Sequence, residues 1–261
     1  MFSKEHLIYL RKLKRNNLTI KLFQIAIIVL FITVWQVLAN FRIIDTFIFS
    51  SPKLVLNTII NLYNSNNLFP HIWVTVYETI ISFSLGTILG IFIATILWWN
   101  KMIAKILDPY LTILNSLPKV ALGPIIIIWC GSGIKSIIFM ALLISLIITI
   151  INVYQSFISV NQNKIKLMKS FKASKYQIFQ KLILPSSINA ILNALKINIS
   201  MSLIGVIMGE FLVSKKGIGY LIVYGSQVFN LNLVITGILI LCIVAILMYY
   251  LVSLLETKLK N

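Results

Sequence analysis

Thr79–Asn100 reads TIISFSLGTILGIFIATILWWN, a run without a single charged side chain. A helix needs roughly 20 such residues to cross the hydrocarbon core of a bilayer. Every backbone polar group must then be satisfied inside the segment, which a helix achieves and an open strand does not. This run therefore decides the fold class: an all-α membrane protein.

The rest of the chain agrees. Of 261 residues, 59% are hydrophobic and only 11% are charged, against about 25% charged in an ordinary soluble domain. Mean hydropathy is +0.97. A soluble domain this apolar would expose large adhesive patches. Six candidate spans follow: about Leu22–Asn40, Val74–Trp99, Leu107–Cys130 (interrupted by Pro118, Lys119 and Pro124), Ser136–Tyr154, Ile188–Leu212 and Leu231–Leu251. The basic segment 1–21 precedes an uncharged run too long for a signal-peptide core and without a small-x-small cleavage site. It reads as a tail before a retained first span.

The formal charge of +17 does not indicate nucleic acid, because the basic residues flank apolar runs rather than forming one patch. With the N-terminus in the cytoplasm, sixteen of the 23 Lys and Arg fall in inside segments and five outside, while Lys119 and Lys196 lie within spans. That bias puts both termini in the cytoplasm. Trp35, Trp73, Trp98, Trp99 and Trp129 lie near span ends, as an interfacial aromatic belt would. Cys130 and Cys242 have no disulfide or metal spacing and read as small buried apolar residues.

The domain plan is a cytoplasmic tail (1–21), a first span (22–40), an external segment (41–72), a transmembrane core (73–255) and a C-terminal tail (256–261). In the external segment, Ser51-Pro52 resembles a helix start with proline at the first position. Leu54, Val55, Thr58, Ile59 and Leu62 form one stripe, so a short helix is expected there, lying on the membrane surface.

The inside segment 155–187 is long for a mere connection and reads as two short helices between spans four and five. Asn161–Lys172 carries Ile165, Met168 and Phe171 at helical spacing with Lys164, Lys166, Lys169 and Lys172 between them. Ser174 with Gln177 makes a capping box. Tyr176, Phe179 and Leu182-Ile183 form the second apolar side, and Pro185 is expected to end that helix. Periodicity leaves two readings open: a basic pair resting on anionic headgroups, or a docking element for a soluble partner.

Val160–Pro185 resembles the cytoplasmic loop of ABC-importer permeases. It keeps Ala173-Ser174, Phe179 and the closing Leu182-Ile183-Leu184-Pro185, but has Lys166-Leu167-Met168 where Glu-Ala-Ala is usual and Lys172 where glycine is usual. Asp108-Pro109, Leu117-Pro118-Lys119-Val120-Ala121-Leu122-Gly123-Pro124 and Trp129-Cys130-Gly131 are similar to the third span of the sulfonate-, nitrate- and taurine-type permeases. Glu210-Phe211-Leu212 and Lys216-Gly217-Ile218-Gly219-Tyr220-Leu221-Ile222 are similar to the exit of their fifth span. Order and spacing over about residues 50–255 carry the resemblance.

The resemblance implies a MetI-like permease subunit of a prokaryotic inner membrane that is one half of a pore, usually a homodimer. Separate ABC ATPases dock on the cytoplasmic loop, and an extracytoplasmic binding protein delivers a small polar or anionic solute. Its docking residues would be Lys166, Leu167, Met168, Phe171, Lys172, Ala173, Ser174, Phe179 and Pro185. Its path or gate would involve Pro118, Lys119, Gly123, Pro124, Glu210, Gly217 and Gly219.

No enzymatic site is legible. Gly131-Ser132-Gly133-Ile134-Lys135-Ser136 has the wrong spacing for a phosphate-binding loop and reads as a turn. His6 and His71 are the only histidines, so no paired-histidine metal site exists, and no cofactor is called for. Charges within spans are candidate functional groups. Lys119, between two prolines, either biases a path toward anions or snorkels to the interface. Lys196 and Glu210 are about 21 Å apart along one helix and do not pair with each other. Glu210 holds an outer gate or the Gly217–Ile222 loop, or makes a structural hydrogen bond. Gly86 and Gly90 allow close helix packing. The alternative function is a stand-alone secondary transporter or channel, which would favour internal repeats and embedded acidic relays. No convincing repeat is present.

Overall fold

The structure, a computed structural model, describes residues 4–260, with side chains for residues 13, 15, 16 and 18–258. Lys4, Arg11, Lys12, Lys14 and Lys260, part of the orientation argument, lie outside the described side chains. Helices follow one another as α1 (Lys4–Asn40), α2 (Thr46–Phe49), α3 (Pro52–Asn64), α4 (Leu68–Trp99), α5 (Lys101–Ser116), a 3-10 turn (Lys119–Leu122), α6 (Gly123–Cys130), α7 (Ile134–Ile158), α8 (Gln162–Ser170), α9 (Lys175–Ile178), a π-helical turn (Phe179–Ile183), α10 (Leu184–Val213), α11 (Ile218–Gln227) and α12 (Leu231–Lys260).

Among the described residues, five stretches are long and apolar enough to cross a membrane: Leu18–Asn40, Leu68–Trp99, Ile134–Ile158, Lys175–Val213 and Leu231–Lys258. The expected third span is not a straight rod. Lys101–Ser116 and Lys119–Cys130 pass that test only together, and they are bent by 88°. The break falls where local chemistry puts it. Leu117, held extended by the following proline (φ −64°, ψ 138°), ends α5. Lys119 Nζ then donates to the Asn115 carbonyl at 2.8 Å, satisfying part of the helix end.

The centre of the molecule is α7 against α10, with α4 packed on both and α12 packed on α10. Small residues let these backbones approach. A Cβ on Gly86 would lie 2.8 Å from Ser145 Oγ, and one on Gly90 would lie 2.8 Å from Thr149 Cβ. The Gly86–Gly90 pair thus seats α4 on α7. A second pair, Gly205 and Gly209, does the same for α10, abutting the backbones of Ala141 and Ile137. Polar groups stitch the seam: Asn198 Nδ2 donates to Thr87 Oγ1 at 2.7 Å, and Ser187 Oγ to the Ser156 carbonyl at 3.2 Å.

Helix α3 starts as its sequence indicates, with Ser51 Oγ accepting the Leu54 N–H at 3.3 Å and Pro52 in the first turn. Its stripe faces protein: Val55 is buried, and Ile59 and Leu62 pack against the α4–α12 cluster. The lipid-facing candidates are instead the exposed Leu56, Ile60 and Tyr63. Lys53 N–H donates to Gln36 Oε1 at 3.0 Å, tying α3 to α1, whose apolar side chains from Leu18 onward are largely exposed. A bilayer accepts that surface.

Three further expectations change. Pro185 does not stop the second loop helix. The wider π turn Phe179–Ile183 removes the clash and missing bond that proline imposes one turn earlier, and the helix runs on through α10. The segment 256–261 is helical up to Lys260, and Glu256 within it is ion-paired with Lys196, joining α12 to α10. Cys242 is exposed on α12 rather than buried, while Cys130 is half-buried.

Candidate functional site

Two constellations come together at opposite ends of α10. The first is the loop pair α8–α9. Ser174 caps α9 through a reciprocal box: Gln177 N–H donates to Ser174 Oγ at 3.2 Å, and Ser174 N–H to Gln177 Oε1 at 2.8 Å. Phe179 anchors the pair to the spans. Its ring lies 5.0 Å from Trp98, 6.0 Å from Trp99 and 5.6 Å from Phe157. Ile165, Met168 and Ala173 pack on the same cluster with buried Ile178 and Ile183.

The candidate docking residues therefore divide. Met168, Ala173 and Phe179 face inward. Lys166, Leu167, Phe171, Lys172, Ser174 and Pro185 are exposed, Leu167 at 57% and Phe171 at 75%. Phe171 leaves the stripe of Ile165 and Met168 because it ends α8, with φ −80° and ψ 13°. Tyr176, expected on the apolar side of α9, is likewise exposed; Ile178 takes that place.

Lys172 explains how the loop does without glycine. It sits at φ +56°, the left-handed region where glycine is at ease. Its N–H donates to the Lys169 carbonyl at 2.9 Å and the Ala173 N–H to the Met168 carbonyl at 3.1 Å, the paired bonds of a Schellman helix end. The turn is kept, with a lysine held in a conformation that costs about 1–2 kcal/mol for a residue with a Cβ.

The second constellation joins α10, α11 and α4. Glu210, 1% exposed, accepts from Thr75 Oγ1 at 2.6 Å and from the Gly219 N–H at 2.5 Å, and also from the Tyr220 N–H. It thereby caps α11 with a carboxyl from another helix. The Ile218 N–H donates to Thr75 Oγ1 at 2.8 Å and the Gly217 N–H to His71 Nδ1 at 2.9 Å. The His71 ring stacks on Tyr220 with centroids 5.8 Å apart. Gly217 has φ +116°, and a Cβ there would run into the Glu210 carboxyl.

Glu78, 2% exposed, reaches the Glu210 side chain from α4, and its Oε2 finds no hydrogen-bond partner among the described residues. Sequence reasoning singled out Glu210, Gly217 and Gly219 but missed His71, Thr75 and Glu78. Their spacing of four and three residues along one face of α4 was the available signal.

Pro118 and Pro124 are exposed, Lys119 is half-buried, and Gly123 is buried where a Cβ would meet Leu212 of α10. This segment thus borders the C-terminal end of α10 without joining the Glu210 cluster.

A helical bundle with a broken span, lipid-compatible surfaces and an amphipathic loop pair anchored at one end is a multi-pass membrane protein. Residues 86–261 match the family described as "Binding-protein-dependent transport system inner membrane component", and the chain belongs to that family. It is 28% identical over 217 residues to a probable ABC transporter permease protein of Haemophilus influenzae, covering 83% of this chain and 88% of that one. It is 28% identical to the putative aliphatic sulfonates transport permease SsuC of Bacillus subtilis, covering 87% and 83%. It is 22% identical to the taurine transport permease TauC of Escherichia coli, covering 83% and 81%. A chain of the inward-facing MetNI methionine ABC transporter shares the fold, with TM-score 0.65 and 19% identity over 73% of this chain and 95% of that one. The protein is a permease of an ABC importer.

Proposed function

We propose that the chain forms one half of a homodimeric pore with six spans, the bent α5–α6 pair counting as one, and with both termini cytoplasmic. ATP-binding-cassette ATPases dock on 155–187, and an extracytoplasmic binding protein presents a small anionic or polar organic solute at the opposite face. Energy comes from the ATPases, whose closure favours one arrangement of the pore over the other.

The observation that carries this reading is the division of the loop: Phe179 clamped among Trp98, Trp99 and Phe157, with Leu167 and Phe171 left bare. An element seated firmly on the spans, with bare apolar side chains among the lysines of its outer face, is suited to receive force from a soluble partner. The segment 118–124 lines the path, with Glu210, Gly217 and Gly219 holding its outer end. Lys119 places a positive charge at the break, which favours anions. The sulfonate and taurine permeases among the relatives support a solute that carries an anionic group such as a sulfonate.

The test is thiol labelling in a background free of Cys130 and Cys242. A cysteine at Lys164 should react only after cells are opened, and one at Lys53 in intact cells. The reverse pattern would overturn the orientation. Uptake driven by an ion gradient in liposomes holding this chain alone would overturn the ABC mechanism. Solute uptake unaltered in Lys119→Gln would remove the charge from that position's role.

A further inference from the structure

A cavity of about 510 Å³ lies under the inner face of α8, between α5, α7 and α9. Its walls are apolar and aromatic: Leu97, Trp98, Tyr154, Phe157, Ile158 and Ile178. Four lysines line it as well: Lys101 and Lys105 from α5, Lys169 from α8 and Lys175 from α9. No carboxylate among the described residues lines it. Asp108, the acidic group acting on the wall residue Tyr154, is one charge against four.

Lys175 is already engaged. Its Nζ donates to the Trp99 carbonyl and stands 5.8 Å and 5.6 Å from the Trp98 and Trp99 ring centroids. Lys101, Lys105 and Lys169 are exposed and in no ion pair among the described residues. Lys101 and Lys105 stand four residues apart, on one face of α5.

The depth is informative. Leu97 and Trp98 belong to the last turn of α4, and Phe157 and Ile158 to the last turn of α7. The cavity thus begins in the hydrocarbon and opens at headgroup level, with stems of lysine crossing the boundary.

We propose that this cavity binds an acidic phospholipid of the inner leaflet, its phosphodiester held by Lys101, Lys105 and Lys169 and an acyl chain laid along the aromatic wall. Basic clefts between spans on the cytoplasmic side suit such headgroups. A soluble partner is a poorer fit, because the bare apolar residues Leu167 and Phe171 are not among the side chains that line the cavity. The proposal rests on the cytoplasmic placement of 155–187.

The purified permease, with its ATPase where the two co-purify, is titrated with phosphatidylglycerol in detergent and bound lipid is counted by native mass spectrometry. Phosphatidylcholine and inorganic phosphate serve as separate arms. Wild type and a Lys164→Gln/Lys181→Gln/Lys258→Gln control should retain phosphatidylglycerol. Lys101→Gln/Lys105→Gln/Lys169→Gln should bind it about a hundredfold more weakly. Equal retention by both triple variants overturns the proposal, as does equal retention of phosphatidylcholine or displacement of the lipid by millimolar inorganic phosphate.

Independently of those variants, brominated phosphatidylglycerol should quench wild-type tryptophan fluorescence more than that of Trp98→Phe. An unchanged quench overturns the proposal too. Lipid is scored on the permease itself, whereas docking is scored by ATPase capture and orientation by thiol labelling, so each reading can fail alone.

Discussion

Thr75 Oγ1 lies 2.6 Å from Glu210 Oε1, a contact between α4 and α10 made across 135 residues of sequence. The same hydroxyl accepts the Ile218 N–H at 2.8 Å, and the same carboxyl accepts the Gly219 N–H. One side-chain pair therefore fixes both the crossing of two spans and the start of α11.

Glu210→Ala takes the acceptor from the Gly219 and Tyr220 N–H donors, while Thr75 Oγ1 keeps only the His71 carbonyl at 3.3 Å. Orphaned buried donors cost about 1–3 kcal/mol each. The expected loss is about 3 kcal/mol, read by thermal or denaturant melting of the purified protein. Glu210→Gln keeps one acceptor and should lose less than half of that.

Gly217→Ala should be more damaging than its size suggests. The position has φ +116°, and the new methyl would collide with the Glu210 carboxyl. Strain of this kind costs about 1–3 kcal/mol, before the capping bonds are disturbed. Lys215→Ala, two residues away on an exposed side chain, should melt within about 0.5 kcal/mol of wild type.

Lys172→Gly should stabilise. Relief of the left-handed backbone is worth about 1–2 kcal/mol, and the extra freedom of the unfolded chain takes back about 0.4–1 kcal/mol. A net gain of roughly 0.5–1 kcal/mol in melting is expected. A loss would mean that the lysine side chain contributes more than its backbone costs.

Phe171 and Phe179 should separate docking from anchoring. Phe171→Ala, at an exposed site, should leave melting within about 0.5 kcal/mol while weakening ATPase capture roughly tenfold, as an interface anchor does. Phe179→Ala removes a ring packed on three others and should cost about 2–4 kcal/mol of stability. Capture that is unaffected by Phe171→Ala would remove that ring from the docking surface.

What was legible in the sequence follows from range. Ser51 and Ser174 announce their helices because a cap involves residues only three apart. Apolar runs mark spans because bilayer and core accept the same side chains. The same equivalence hides partners: the stripe of α3 is evident, but not that it faces protein. Pro185 misleads because the local rule cannot see the π turn that accommodates it. Glu78 was overlooked beside the uncharged run that begins at the next residue. Its partner Glu210 lies far along the chain, where only the folded helices reveal the meeting.

That π turn has a mechanical consequence. Because the chain does not break between Lys175 and Val213, the element seated beside Phe179 and the carboxyl that caps α11 sit on a single beam. The beam bears on Ala141 and Ile137 through Gly205 and Gly209, close to its far end. Ser187 Oγ fastens its near end to the Ser156 carbonyl, so α7 braces the beam at two places and not at a single pivot.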